Sequence, residues 1–285
     1  MKRIVPVLLV IFMIFSGCTA EKTSDKLKIT TTIFPQYDFL RTITENVDVE
    51  LNMLISPGME VHGFETTLED IALISDSDLF VCVGGEDDEW VKDLPESETK
   101  ILTLSSMVKL TEDDHPWTSP KNAITITQGL CDSLCNIDPD NAQTYKNNTE
   151  KYISQLKKLD EGFEACVKSG KTNTVVFAER FPFRYLAKDY NLKYFSAFEG
   201  CSTETEAGLR AVNNLVENIR REKLPVVFTI EFSEDTVADR ICKETGATKL
   251  RMHSCHNVTQ EEFDKGETYL SLMTKNLENL KIALG

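Results

Sequence analysis

The stretch KITTTIFPQYDFLRTITENVDVELNML, residues 28–54, decides the fold class. It opens on a short strand pattern at 28–33, rich in β-branched residues. It passes through a helical pattern over 37–45 and closes on a second strand pattern at 49–54. Strand, helix and strand in so short a span make a βαβ unit, in which a crossover helix joins parallel strands. Outward from it, strand patterns recur at 79–83 and 100–104, with a helical pattern over 67–75. A second group of four follows at 173–178, 193–197, 226–230 and 248–252, separated by helical patterns such as 204–221 and 236–245. The expectation is an α/β protein of two (β/α)4-like lobes with parallel sheets.

Between the two groups the texture changes. Ser119-Pro120 starts a helix, with Ser as N-cap and Pro at the first helical position. After Asp138-Pro139 a longer helix is predicted to about residue 168. Tyr145, Tyr152, Leu156, Leu159, Phe163 and Cys166 recur along it mostly at three- and four-residue steps, the spacing of one helical face. Such a rod reads as a rigid spacer between lobes, or simply as a long surface helix. The division expected is an N-terminal lobe at 28–138, the spacer at 139–169 and a C-terminal lobe at 170–285.

The first residues bear on compartment. Lys2 and Arg3 precede an apolar run, residues 4–15, and Phe15-Ser16-Gly17-Cys18 follows. The run is too short to cross a bilayer and has the layout of a secretory signal. A signal ending in Gly-Cys resembles the bacterial lipobox. That implies a signal peptide over 1–17, an acylated Cys18 and a polar tether over 18–27. The chain would then be lipid-anchored on the extracytoplasmic face of a bacterial cell membrane. A chance cysteine after an ordinary cleaved signal is the other reading.

Lys and Arg number 31 against 46 Asp and Glu, a formal charge of -15. Such a surface repels nucleic acid and anionic lipid, and nucleic-acid partners are not expected. Glu86, Asp87, Asp88 and Glu89 form an acidic run, usually a solvated face, with metal attraction as a second reading. Beyond Cys18 the cysteines are Cys82, Cys131, Cys135, Cys166, Cys201, Cys242 and Cys255, with no zinc-ribbon spacing. Cys82, Cys131, Cys135 and Cys166 sit in strand or helical patterns and read as small core residues.

Four histidines are present: His62, His115, His253 and His256. Each follows a predicted strand end or lies in a loop. In open α/β sheets, ligands gather outside the carboxyl ends of the strands. Imidazole suits zinc, and also manganese when carboxylates accompany it.

Two segments carry a resemblance. Ser56-Pro57-Gly58-Met59-Glu60-Val61-His62-Gly63-Phe64-Glu65 resembles the Pro-Gly-x-x-x-His-x-x-Glu segment of zinc and manganese ABC-transporter solute-binding lipoproteins, the cluster A-I type. Asp114-His115-Pro116-Trp117-Thr118-Ser119-Pro120 resembles their His-x-Trp-x-x-Pro segment. The stretches 29–39, 70–79 and 267–277 look like the first strand, the helix into the third strand and the terminal helix of that family. The resemblance implies a metal cleft between the two lobes, with His62 and His115 as ligands from the first. It implies a monomer that captures a divalent metal, Zn2+ or alternatively Mn2+, and delivers it to a membrane permease.

The second lobe departs from the family pattern. Five residues before the Tyr of Phe183-Arg184-Tyr185, where the family places His or Glu, stands Arg180, and a guanidinium repels a cation. Glu179 is either a substitute ligand or a partner for Arg180. The family's Asp, seven residues after a helix-ending Gly, maps from Gly246 to His253, at the start of His253-Ser254-Cys255-His256. His253 and His256 are therefore candidate ligands beside His62 and His115. Cys201 and Cys255 are either thiolate ligands or a disulfide, and added N and S ligands favour zinc over manganese. No His-Glu-x-x-His helix or Gly-x-Ser-x-Gly elbow is present, so an enzyme is not expected. A degenerate site reading another solute, or serving adhesion, is the alternative.

Overall fold

The computed structural model describes residues 26–111, 113–198 and 208–285. Cys18 and Cys201 lie outside these residues. The first sheet is built from β1 (Leu27–Thr31), β2 (Val49–Met53), β3 (Leu79–Cys82) and β4 (Lys100–Thr103), in the order β2-β1-β3-β4. The second repeats that order as β6-β5-β7-β8, from β5 (Thr174–Phe177), β6 (Lys193–Ser196), β7 (Val226–Thr229) and β8 (Thr248–Arg251). Every pairing is parallel; Ile29 stands opposite Leu79, and Phe177 opposite Phe228. The fold is therefore α/β with two four-stranded parallel sheets. Of the four inner strands, β3, β5 and β7 are buried along their whole length and β1 over its last three residues, whereas the edge strands β2, β4, β6 and β8 are partly exposed. That is why the inner strands read as unbroken apolar runs.

The helices are α1 (Phe34–Ile43), α2 (Leu68–Ser75), α3 (Pro120–Ile137), α4 (Ala142–Ser169), α5 (Arg184–Asp189), α6 (Leu209–Glu222), α7 (Thr236–Thr245), α8 (Gln260–Asp264) and α9 (Tyr269–Leu284). Helix α1 begins three residues before the sequence pattern places it. Pro35 fits its first turn, and the Gln36 side chain accepts the Ile33 N–H at 3.0 Å and the Thr32 hydroxyl at 2.9 Å. Thr67 and Asp70 cap α2 reciprocally, and Ser119 caps α3 ahead of Pro120.

Helix α4 has 28 residues, about 42 Å at ~1.5 Å each. It packs on α3, α9 and α1, and its buried face is Tyr145, Thr149, Tyr152, Leu156, Leu159, Phe163 and Cys166. Gly162 marks the close approach to α9, since a Cβ there would lie 2.6 Å from Leu277 Cδ2. One continuous apolar core runs from Phe39 and Phe80 of the first lobe through Leu156 and Phe163 to Phe177 and Phe228 of the second. A smaller cluster lies under α6 and α7. Cys82, Cys131 and Cys166 are buried and Cys135 is half-buried, all packed with this core.

The lobes are also tied by hydrogen bonds. Gly58 N–H donates to Val258 O at 2.7 Å, and the Asn257 amide reaches Ser56 O and Met59 O at 2.8 and 2.9 Å. Trp117 Nε1 donates to Ser254 O at 2.8 Å. No helix among the described residues is long and apolar enough to cross a membrane.

Candidate metal centre

The loops that follow β2, β4 and β8 bring three histidines together. His62 lies in the loop after β2. His115 precedes a single 3-10 turn, Pro116–Thr118, beyond β4, and His256 lies in the loop after β8. One ring nitrogen from each falls within 4.8 Å of the other two. His115 Nε2 and His256 Nδ1 are 3.2 Å apart. Tetrahedral zinc–imidazole bonds of about 2.05 Å require nitrogens about 3.3 Å from one another, so this edge is already at ligating distance.

Two of the rings are oriented by carboxylates. Asp113 Oδ1 lies 2.5 Å from His115 Nδ1 and also accepts the His115 N–H at 3.1 Å. Its other oxygen accepts the Arg184 N–H from the second lobe at 3.2 Å. Asp87 Oδ2 lies 3.0 Å from His62 Nδ1, and that contact holds the Asp87 carboxyl below its usual range. With a proton held on each Nδ1, Nε2 is the atom of His62 and of His115 that can ligate a cation, the usual carboxylate–histidine–metal arrangement. His256 is kept neutral by burial, and by His115, His62 and Arg180 around it, which together push its pKa well below 6.5. The Trp117 ring, 5.2 Å from both His115 and His256, forms an apolar wall. The donors are imidazole nitrogens, and they fit a borderline divalent ion.

His253 is not brought to this cluster. Cys255 has a left-handed backbone, φ 61°, which turns the loop between His253 and His256. His253 Nδ1 accepts the Cys255 N–H at 2.9 Å, and its Nε2 faces Glu262 at 3.6 Å. Its backbone is clamped by Asn276 at 2.7 Å on each side. Burial lowers its pKa, but Glu231 and Glu262 outweigh burial and raise it above 6.5. Cys255 is fully buried, and burial keeps its thiol protonated. Glu179 accepts the Ser233 hydroxyl at 2.6 Å, while Arg180 turns to Glu60 at 3.2 Å, so the two neighbours do not pair with each other. Glu60, Arg180 and Glu231 line the same cavity as the three histidines.

Asp113 and Glu231 are absent from the sequence reading. The Asp-x-His spacing of Asp113 and His115 is a local signal for the first; Glu231 carries none. The acidic run 86–89 is more than a solvated face. Asp87 holds His62, and Asp88 is buried and accepts the Val83 and Gly84 N–H groups at 2.6 and 2.9 Å.

Comparison with known proteins gives the family. A family model described as "ZnuA: Zinc-uptake complex component A periplasmic" matches residues 29–283. The zinc-binding lipoprotein AdcA of Streptococcus pneumoniae is 30% identical over 93% of this chain and 57% of its own length. The high-affinity zinc uptake system protein ZnuA of Bacillus subtilis is 27% identical over 96% of this chain and 94% of its own length. The crystal structure of the Zn(II)-bound ZnuA-like domain of Streptococcus pneumoniae AdcA superposes with a TM-score of 0.81 at 29% identity, covering 91% of this chain and 99% of that one. The chain thus spans about half the length of the AdcA relatives it matches. With the family model covering nearly all the described residues, the chain belongs to the ZnuA family of zinc-uptake solute-binding proteins.

Proposed function

We propose that the protein captures Zn2+ at His62, His115 and His256 and delivers it to the permease of an ABC importer. Capture involves no turnover: the ion is cargo, held by imidazoles and released unchanged. The observation that carries this reading is the convergence of three ring nitrogens within 4.8 Å, two of them backed by Asp87 and Asp113. Three nitrogen donors favour zinc over manganese, which prefers oxygen. The zinc-binding names of AdcA and ZnuA support the same cargo. The working context is the extracytoplasmic face, with the monomer tethered through an acylated Cys18, as the Gly-Cys motif and the lipoprotein relative support.

The rival reading is a degenerate site for another solute, for which Arg180 would serve as an anion receptor. Arg180 is engaged by Glu60. Titration of chelator-stripped protein with Zn2+ and Mn2+ tests the proposal. Zinc is expected to bind more tightly and raise the melting temperature more, and His62→Ala, His115→Ala or His256→Ala should each weaken it by orders of magnitude. Absence of zinc binding by the unmodified chain would sink it.

A further inference from the structure

Three neutral imidazoles leave a divalent ion one ligand short of a tetrahedral shell and bring no negative charge to it. Arg180 lines the same cavity and adds a positive charge, which makes a carboxylate partner more necessary. Among the described residues, two carboxylates line that cavity, Glu60 and Glu231. Glu231 is buried and committed: it accepts the Ser254 N–H at 2.8 Å and the Ser254 hydroxyl through its other oxygen. Glu60 is hydrogen-bonded through both oxygens too, but it is not buried. Its side chain is half exposed, and it lies two residues from His62. Its carboxylate spans the His62 N–H, at 3.3 Å, and the Arg180 guanidinium of the opposite lobe, at 3.2 Å.

We propose that Glu60 is the fourth zinc ligand, its carboxylate passing from Arg180 to the cation as the ion enters the three-histidine cluster. This rests on the metal reading of His62, His115 and His256. Glutamate has three rotatable bonds, and a half-exposed one reorients at small cost. The position at which the family supplies His or Glu from the second lobe is then filled from the first lobe, and Arg180 holds the carboxylate that replaces it. Arg180 and the metal compete for one carboxylate. That competition lowers affinity and gives the ion a route out, because Glu60 has a partner waiting when the metal leaves.

Cobalt substitution tests the assignment on the full chain. Co2+ bound by three imidazoles and a carboxylate has visible d–d bands whose position depends on the fourth donor. Glu60→Gln is expected to shift those bands and to weaken Zn2+ binding by about tenfold or more, at least the loss typical of removing an outer-shell partner. Unchanged bands overturn the proposal whatever the affinity does, because Glu60 would then act only as a nearby charge. His62→Ala separates the two levels. If it leaves zinc binding intact, the histidine cluster itself is wrong. If it abolishes binding while Glu60→Gln leaves the cobalt bands in place, only the fourth ligand is wrong.

Discussion

Replacing Asp113 by Asn probes the site without touching a proposed ligand. Asn keeps the size of the side chain and one carbonyl acceptor for His115 Nδ1, but removes the charge that makes the imidazole a stronger donor. Outer-shell carboxylate changes of this kind cost about 10–100-fold in metal affinity, or about 1.4–2.7 kcal/mol. The structure places Asp113 at the upper end of that range and Asp87 at the lower. The Asp113 side chain is 5% exposed and 2.5 Å from His115, whereas that of Asp87 is 47% exposed and 3.0 Å from His62. Water screens the second pair and barely reaches the first. Asp113→Asn should therefore weaken zinc binding by about 100-fold and Asp87→Asn by about 10-fold. The amide introduced by Asp113→Asn would also have to turn its NH2 towards one of the N–H donors that the carboxylate now accepts. A loss of about 1–3 kcal/mol in folding stability is expected from that unmade bond. Competition against a chelator of known affinity measures the first effect and urea unfolding the second. A larger loss in Asp87→Asn than in Asp113→Asn, in protein shown to be folded, would refute the ranking of the two partners by burial.

His253→Ala should leave zinc affinity within about twofold while lowering stability by about 1–3 kcal/mol, because it strips partners from Cys255 N–H, Glu231 and Glu262; calorimetric titration beside thermal melting checks both. Stability should also depend on pH through this pair. The His253 ring beside it chiefly holds Glu262 down to about 2 from 4.5, so that contribution is present above pH 4.5 and fades as pH falls towards 2. His253, raised above 6.5, contributes below pH 6.5 and loses its contribution as pH rises through its folded value. Glu262→Gln should flatten the acid arm in a series of melting curves, and an unchanged acid slope would count against the pairing. Zinc should alter tryptophan fluorescence, since Trp117 lies 5.2 Å from two of the histidine rings. Trp117→Phe should remove most of that change, leaving only what Trp90 reports.

The strands and the long helix were legible because their signals are local. Buried inner strands such as Leu79–Cys82 are continuous apolar runs, and the core face of α4 repeats at helical spacing. His62 and His115 were legible from the segments around them. The second lobe's half of the site was not. Counting from Gly246 leads to His253, but chirality decides the matter: the left-handed Cys255 turns His256 into the cleft and leaves His253 against Glu231 and Glu262. The partners of Glu179 and Arg180 were equally out of reach. Adjacent in sequence, they point to Ser233 and to Glu60, and the second of these lies 120 residues away.

Tyr269, at the start of the last helix, docks on the first lobe. Its N–H donates to Asp38 Oδ2, its hydroxyl to Trp117 O, and its ring meets Phe39 edge-on at 4.9 Å. The first of these contacts closes a loop of 231 residues. The N-terminal lobe, though synthesised earlier, thus has no finished core until helix α9 arrives. A chain with such long-range closure folds slowly and late. During that interval Asp38 Oδ2 and Trp117 O lack the donors that Tyr269 brings, so loss of helix α9 would be a defect of both lobes at once.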